Sequence, residues 1–236
     1  MERDYYEKYD LLEKNHWWHK ARLIILKSFS KHYLKKNLKI LNIGVATGET
    51  SIMLNYFGEV TSLEYDQKTY DFLVNKEKIN PVLGSATSLP FNDNHFDCIC
   101  CFDVLEHIND DHKAISEIFR CLKPNGKTLI TVPAYSFLWS AHDKNMHHYR
   151  RYTKAKINNI FNLNGFTKIR STYFNFLLFH PIFVIRKLNF LNKKDYESFD
   201  NGVLNNILFF IFKSEKVILK YLNFPYGVSI LSIFKK

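Results

Sequence analysis

From about residue 39 onward, apolar runs of strand length alternate with longer segments in which apolar positions recur at helical spacing. Such alternation is the pattern of successive βα units feeding a parallel sheet. Seven strands are predicted: Lys39 to Ile43, Val60 to Glu64, Val82 to Gly84, Phe96 to Phe102, Lys127 to Val132, Thr167 to Thr172 and Ser229 to Phe234. The clearest helix runs from Asp111 to Leu122. Ile115, Ile118, Phe119 and Leu122 share one face, acidic residues open it, and Lys123-Pro124-Asn125-Gly126 follows as a stop signal. The interval Tyr173 to Gly227 is far longer than an ordinary connection, so it is expected to hold structure of its own. Its apolar stretches, Phe174 to Ile185 and Val203 to Leu222, are interrupted by His180-Pro181 or by charge, which suits amphipathic helices better than membrane spans. Leu204, Ile207, Leu208, Ile211, Ile218 and Leu222 are expected to face the domain.

The pattern predicts one α/β domain over residues 1–236, built on a Rossmann-like, doubly wound sheet of seven strands. Residues 1–38 form a helical cap, 39–172 and 228–236 the core, and 173–227 a helical insertion before the last strand. An apolar share of 46% is ample for a continuous core at this length. Cys98, Cys100, Cys101 and Cys121 form no CxxC pair and have no histidine at ligand spacing nearby, so reduced core thiols are expected and no metal site is predicted. The first residues, MERDYYEKYDLLEK, are dense in charge and lack the apolar run of a signal peptide, which points to a cytoplasmic protein. Charge adds one asymmetry. Residues 1–150 hold 19 Lys/Arg against 19 Asp/Glu, whereas residues 151–236 hold 14 against 4, so the net +10 lies wholly in the last third. A basic field of that kind attracts phosphate, on a substrate, a lipid or a nucleic acid.

The candidate chemistry begins at Asn42-Ile-Gly44-Val-Ala46-Thr-Gly48, a strand end that turns through small residues into a helix from Glu49 to Phe57. Small residues let the backbone approach a ligand, and the free amides of a helix start face it. A dinucleotide fingerprint wants a third glycine where Glu49 stands, and a P-loop wants Gly-Lys-Ser/Thr; neither is present. Twenty residues after Gly44 the second strand closes on Glu64, where a carboxylate can accept both hydroxyls of a ribose.

The series continues with Ser85-Ala86 through Leu89-Pro90-Phe91 to Phe96-Asp97, then Phe102-Asp103-Val-Leu105-Glu106-His107, then Leu122-Lys-Pro124-Asn-Gly126. In order and spacing, over about residues 39–135, it resembles the successive motifs of class I S-adenosylmethionine-dependent methyltransferases. The resemblance implies methyl transfer from S-adenosylmethionine. It implies Gly44, Ala46 and Gly48 along the methionine part of the cofactor, Glu64 and its neighbour Tyr65 at the ribose, Ser85 and Ala86 at the adenine, and Asp103 to His107 closing the pocket. Three positions depart from the family pattern: Asn42 stands where an aspartate is usual, Ala46 replaces the middle glycine, and Ser85 replaces a carboxylate. Weaker cofactor binding is expected, and a binding module with this fold but without activity stays open as an alternative.

Glu13-Lys-Asn-His16-Trp17-Trp18-His-Lys-Ala-Arg22 resembles the lead-in of a bacterial type 11/12-like subgroup of these enzymes, which implies a helix over the cofactor pocket with Trp18 and Arg22 facing it. Paired tryptophans can equally seal a core against an N-terminal helix. After the fifth strand comes Trp139-Ser-Ala-His142-Asp143-Lys-Asn-Met-His147-His148-Tyr-Arg150-Arg151-Tyr152, leaving the sheet edge at which ligands bind in this fold class. The same subgroup carries a similar series. His142, His147 and His148 are the candidate bases, Arg150 and Arg151 the candidate grips on a substrate phosphate or carboxylate, and Tyr152 a group that orients either. A small-molecule acceptor, anionic or lipid-linked, is the expected partner. Only charge favours a nucleic acid, and the Asn/Asp-Pro-Pro-Tyr motif suited to a flipped base is absent. The phenylalanines of the insertion, with Arg186, Lys187, Lys193, Lys194, Lys213, Lys216 and Lys220 around them, leave open peripheral contact with the inner face of the membrane, a buried helical pair, or a protein interface such as a homodimer.

Overall fold

The computed structural model describes residues 3–192 and 202–236; Lys193 and Lys194 lie outside the described residues. In chain order the elements are α1 (Arg3–Asn15), α2 (Trp17–Tyr33), β1 (Leu38–Ile43), α3 (Glu49–Leu54), β2 (Gly58–Glu64), α4 (Gln67–Val74), β3 (Pro81–Leu83), β4 (Phe96–Phe102) and α5 (Asp111–Cys121). They continue with β5 (Leu122–Pro133), α6 (Ala141–Asn145), α7 (Lys154–Leu163), β6 (Thr167–Phe174), α8 (Phe179–Asn192), α9 (Gly202–Ile218) and β7 (Ser229–Lys235).

All seven expected strands are present in one sheet of order β3-β2-β1-β4-β5-β7-β6. The pattern pointed to parallel strands throughout, and that holds for all but β7, which pairs antiparallel with both β5 and β6. The reason lies in the insertion: a chain that leaves β6 at one edge and comes back through α8 and α9 enters between β5 and β6 in reverse. The order turns at β1 and β4, so the carboxyl ends of these two strands flank the crevice where this architecture binds ligands. Strand β4 is buried from Cys98 to Phe102, which is why it reads there as an unbroken apolar run, and β1 is buried from Ile40 to Ile43, the polar Asn42 included. Cys98, Cys100, Cys101 and Cys121 are free and buried, as expected of core thiols.

Local boundaries differ from expectation in three places. Lys123-Pro124-Asn125-Gly126 does end α5, but the strand β5 already begins at Leu122, and a register shift between Phe96 and Cys98 on β4 absorbs the turn residues. The helix after the small-residue turn closes at Leu54, with Phe57 buried beyond it. Strand β6 runs on through Phe174, so the first apolar stretch of the insertion yields a helix only from Phe179.

The face of α9 is the clearest correction. Ile207, Ile211, Ile218 and Leu222 were expected to meet the domain, yet they are exposed, and the buried positions are Phe212 and Glu215, followed by Leu219. Phe212 stacks on Phe174 and meets Trp17 edge-on, so aromatic volume, and not the longer aliphatic stripe, anchors the helix. Glu215 is buried because it serves the backbone: it accepts N–H bonds from Asn175, Phe176 and Leu177 at 2.7, 2.8 and 2.9 Å, where the chain leaves β6.

Burial outweighs those three bonds and pushes the Glu215 carboxyl up to about 7. With a folded pKa above the ordinary 4.5, the folded chain holds more protons than the unfolded one between about pH 4.5 and 7. The stability this group contributes is full below that window, falls across it by an amount of order 3 kcal/mol, and is flat above it. Denaturant titrations of the wild type and Glu215→Gln at pH 5 and pH 8 check this: the wild type should lose stability between the two pH values relative to the variant. Parallel profiles would contradict it.

Candidate active site

The two N-terminal helices cover the crevice. α1 sits on the small-residue turn: the Thr47 hydroxyl donates to Glu13, and Lys76 joins Asp10, Glu49 and the Thr47 carbonyl. The tryptophan pair then divides. Trp17 is buried against α9, its backbone N–H donating to the Asn205 side-chain oxygen at 2.8 Å, while Trp18 lies under the Arg22 guanidinium at 5.2 Å. Trp17 thus seals the core, as one reading of the pair expected, and Trp18 packs against its edge. Arg22 is buried and donates to Asp103 at 2.5 Å, so the guanidinium expected to face the pocket holds the carboxylate that follows β4.

The turn has the geometry its small residues require. Gly44 lies at φ +66°, and a Cβ there would stand 2.4 Å from Val104 Cγ2. Gly48, at φ +93°, caps α3. Ala46 also adopts the left-handed region, at φ 48°, where an L side chain costs about 1–2 kcal/mol. Ala46→Gly is therefore expected to raise stability, the gain cut to about 0.5–1 kcal/mol by the glycine's larger unfolded-state entropy. A rise in Tm of a few degrees would bear this out; a fall would show that the Cβ makes contacts worth more than its strain.

Asn42 is fully buried and donates to Thr50 Oγ1 at 2.8 Å and Ser51 Oγ at 2.9 Å, its Oδ1 being left without a partner among the described residues. The amide thus ties β1 to the start of α3. Glu64 accepts from the Val45 and Ala46 amides with one oxygen, at 3.1 and 3.3 Å, and from those of Tyr65 and Asp66 with the other, at 2.9 and 3.3 Å. It holds the small-residue turn against β2, and burial raises its pKa against those bonds. Tyr65 is 78% exposed. Ser85 pairs with Thr87, and Ala86 is buried beside it.

The loop after β5 folds back onto the residues that follow β4. Tyr149 N–H donates to the Glu106 carbonyl, and the Tyr152 hydroxyl, fully buried, donates to Asp111 at 2.8 Å with the Leu105 carbonyl also in reach at 3.2 Å. Arg150 reaches Asp111 at 3.0 Å and the Asn109 carbonyl at 2.6 Å. Arg151 is buried and forms a two-point pair with Asp143, 2.7 and 2.9 Å, and donates to the Ala134 carbonyl. Arg151 and Tyr152 were expected to touch a substrate. Their polar groups are instead spent inside the chain, and they hold the loop in place.

Asp143, which the sequence reading did not single out, is the hub of this loop. It is fully buried, closes a capping box at the start of α6 with Ser140, and receives Arg151 and His148 Nδ1, the latter at 2.8 Å. These partners outweigh burial and hold its carboxyl well below the usual carboxylate range. The bond to Nδ1 orients the His148 ring and leaves Nε2 free. The His107 ring stands edge-on to His148 at 4.5 Å, and that of His142 at 6.1 Å. Burial pulls His107 down to about 4 and His19 down to about 3, and His142 is also lowered, so these imidazoles are neutral near pH 7. His147, by contrast, is exposed at φ 55° on the outer turn of the loop. On the far side Tyr135 stacks on Phe137 and Tyr173, and α8 adds Phe179 and Phe183.

Comparison with known proteins bears on the family and the fold. Residues 41–130 match the family model described as a methyltransferase domain. An uncharacterized methyltransferase of Schizosaccharomyces pombe is 35% identical over 109 residues, 40% of this chain and 39% of that protein. A ubiquinone/menaquinone biosynthesis C-methyltransferase of Pectobacterium atrosepticum is 32% identical over 108 residues, 41% of this chain and 43% of that protein. The matched segment thus spans about two fifths of the length of these relatives. A methyltransferase-like chain of Haloferax volcanii, solved with a methyltransferase activator, superposes with a TM-score of 0.65 at 15% identity, over 98% of this chain and 94% of that one. A phosphoethanolamine N-methyltransferase of Haemonchus contortus, solved with S-adenosylmethionine, does so with a TM-score of 0.58 at 20% identity, over 90% and 52%. At such identities the structures share the fold.

Proposed function

We propose that this chain, a class I S-adenosylmethionine-dependent methyltransferase by fold and by the domain over residues 41–130, transfers a methyl group from S-adenosylmethionine to a small-molecule acceptor. One observation carries the reading. The small-residue turn at Gly44, the acid at Glu64, the end of β4 at Asp103 and the histidine cluster of the β5 loop converge on the carboxyl edge of β1 and β4. The turn and Glu64 receive the cofactor; Asp103, held by Arg22, follows β4 on the same edge of the sheet.

Methyl transfer is an in-line displacement, so the protein mainly has to align the acceptor with the sulfonium methyl. The wall of Tyr135, Phe137 and Tyr173 suits an apolar acceptor body, and the neutral His142 can take a proton from an acceptor hydroxyl or ammonium. Asp143, Arg151 and Tyr152 position this loop without touching the acceptor. Calorimetry with S-adenosylmethionine and with its demethylated product tests the cofactor half: binding of both is expected, and no heat from either would leave a methyltransferase fold without the activity. Once an acceptor is found, His142→Ala should lose turnover while cofactor affinity stays near wild type.

A second observation bears on how the acceptor arrives. Along α9 and the turn after it, Val203, Ile207, Phe210, Val217, Tyr221 and Leu222 form an exposed apolar stripe, 50–76% accessible, with Lys213, Lys216 and Lys220 beside it. No helix among the described residues is long and apolar enough to cross a membrane. Apolar side chains flanked by lysines suit shallow contact with an anionic bilayer, and a lipid-linked acceptor would be met there. Sedimentation with anionic and neutral vesicles is the measurement: binding to anionic vesicles only, lost in high salt and in Phe210→Glu, is expected. No vesicle binding, together with a dimer in solution, would assign the stripe to a protein interface.

A further inference from the structure

We propose that Glu106, His107 and His148 form a binding site for one divalent transition-metal ion beside the cofactor crevice. One carboxylate oxygen and one nitrogen from each ring lie within 4.8 Å of one another, close enough for a single ion to reach all three. Two imidazoles and a carboxylate are the donor set of zinc, manganese and iron(II) sites, and three protein ligands leave further positions open.

Three features of the surroundings make this more than proximity. First, Glu106 is buried, 1% exposed, and its Oε2 has no hydrogen-bond partner among the described residues. Each neighbouring carboxylate has its own arginine: Asp103 has Arg22, Asp111 has Arg150 and Asp143 has Arg151. Glu106 alone of this group of four has none, and a buried carboxylate oxygen without a donor or cation is costly. Second, the His148 ring is fixed through Nδ1 by Asp143, which turns Nε2 into the free donor. Third, the His107 ring stands edge-on to His148 at 4.5 Å, and a nitrogen of each ring comes within reach of the Glu106 carboxylate. A ring nitrogen bound to a carboxylate or carbonyl, with the other left open, is the outer-shell arrangement of metal-ligating histidines. The ion's open positions would face the acceptor, whose class is then a molecule with a metal-binding oxygen, a hydroxyl or a carboxylate. That last step rests on the methyltransferase reading; the binding of the ion does not.

The test uses the full chain, stripped with a chelator and desalted, and titrated with zinc chloride by calorimetry. Cobalt(II) serves as a second probe through its visible absorption bands. One tight equivalent is expected in the wild type. Glu106→Gln and His107→Gln should each weaken zinc binding about 100-fold or more, and Asp143→Asn, an orienting partner, about 10–100-fold. The double variant His112→Gln/His180→Gln, which removes two exposed surface histidines, should bind as the wild type does. Circular dichroism and Tm without metal establish that each variant is folded. Absence of a tight equivalent in the wild type, or unchanged affinity in a folded Glu106→Gln, overturns the proposal. Calorimetry with S-adenosylmethionine on the same samples keeps the two readings apart. A chain that binds the cofactor but not zinc loses only the metal site, and one that binds zinc but not the cofactor keeps it.

Discussion

Replacing Glu64 by alanine is expected to lower affinity for S-adenosylmethionine by about 150-fold to 20,000-fold. The carboxylate does two things at once. It gathers four backbone amides, from Val45, Ala46, Tyr65 and Asp66, and so fixes the turn along which the cofactor is expected to lie. It also stands at the end of β2, where its charge can accept the ribose hydroxyls. Two hydrogen bonds to a charged acceptor are worth about 1.5–3 kcal/mol each, which is the source of the expected range. Glu64→Gln separates the contributions, since it keeps the length and one acceptor oxygen but drops the charge, and it should fall between wild type and alanine. Calorimetric affinities within a factor of three of wild type in Glu64→Ala would remove the cofactor assignment.

The largest expected loss of stability is that of Asp143→Ala, about 3–5 kcal/mol. This carboxylate is fully buried and is, among the described residues, the one counter-charge in contact with the buried Arg151, which it meets at two points. Removing one member of a buried pair leaves the other charged, desolvated and unpaired, and that cost exceeds the worth of the pair itself. The Ala134 carbonyl, Arg151's other acceptor, cannot neutralise the charge. Removing both charges in Asp143→Ala/Arg151→Met should therefore recover part of the loss, although His148 and the start of α6 stay unanchored. Urea unfolding of the three proteins measures this. A loss below 1 kcal/mol in the single variant, or a double variant less stable than the single, would show that the loop is held by its other contacts. Because its partners keep the Asp143 carboxyl below the usual range, the contribution is present above about pH 4 and is lost only as the pH falls through the folded pKa.

These two residues differ in how far the sequence revealed them. Glu64 was readable because its role is local: it ends a strand a set distance after the small-residue turn, and both lie on adjacent parallel strands. Asp143 was passed over in favour of the histidines and arginines around it, because nothing in a linear string says which members of a charged loop point inward. Four candidate positions, Arg22, Arg150, Arg151 and Tyr152, are spent on internal partners for the same reason. One available signal was Ser140 followed three residues later by Asp143, a capping box that marks an inward-turned acid at a helix start.

By itself the sequence determined the seven strands, their helical connections, the small-residue turn with its acid, and the presence of an ordered insertion. Each depends on periodicity and turn chemistry within a few residues, which neighbouring side chains and backbone sterics enforce wherever the segment lies. Only the tertiary structure decided the reversed direction of β7, the buried face of α9, the arginine partner of each acid, and the meeting of Glu106 and His107 with His148. Most of those outcomes join positions about 40 or more residues apart, and the exception, Arg151 with Asp143 eight residues away, depends on a loop that folds back on itself. They are settled by how volumes fill the core and how buried charges find opposite charges, and those conditions exist only after the chain has folded back on itself.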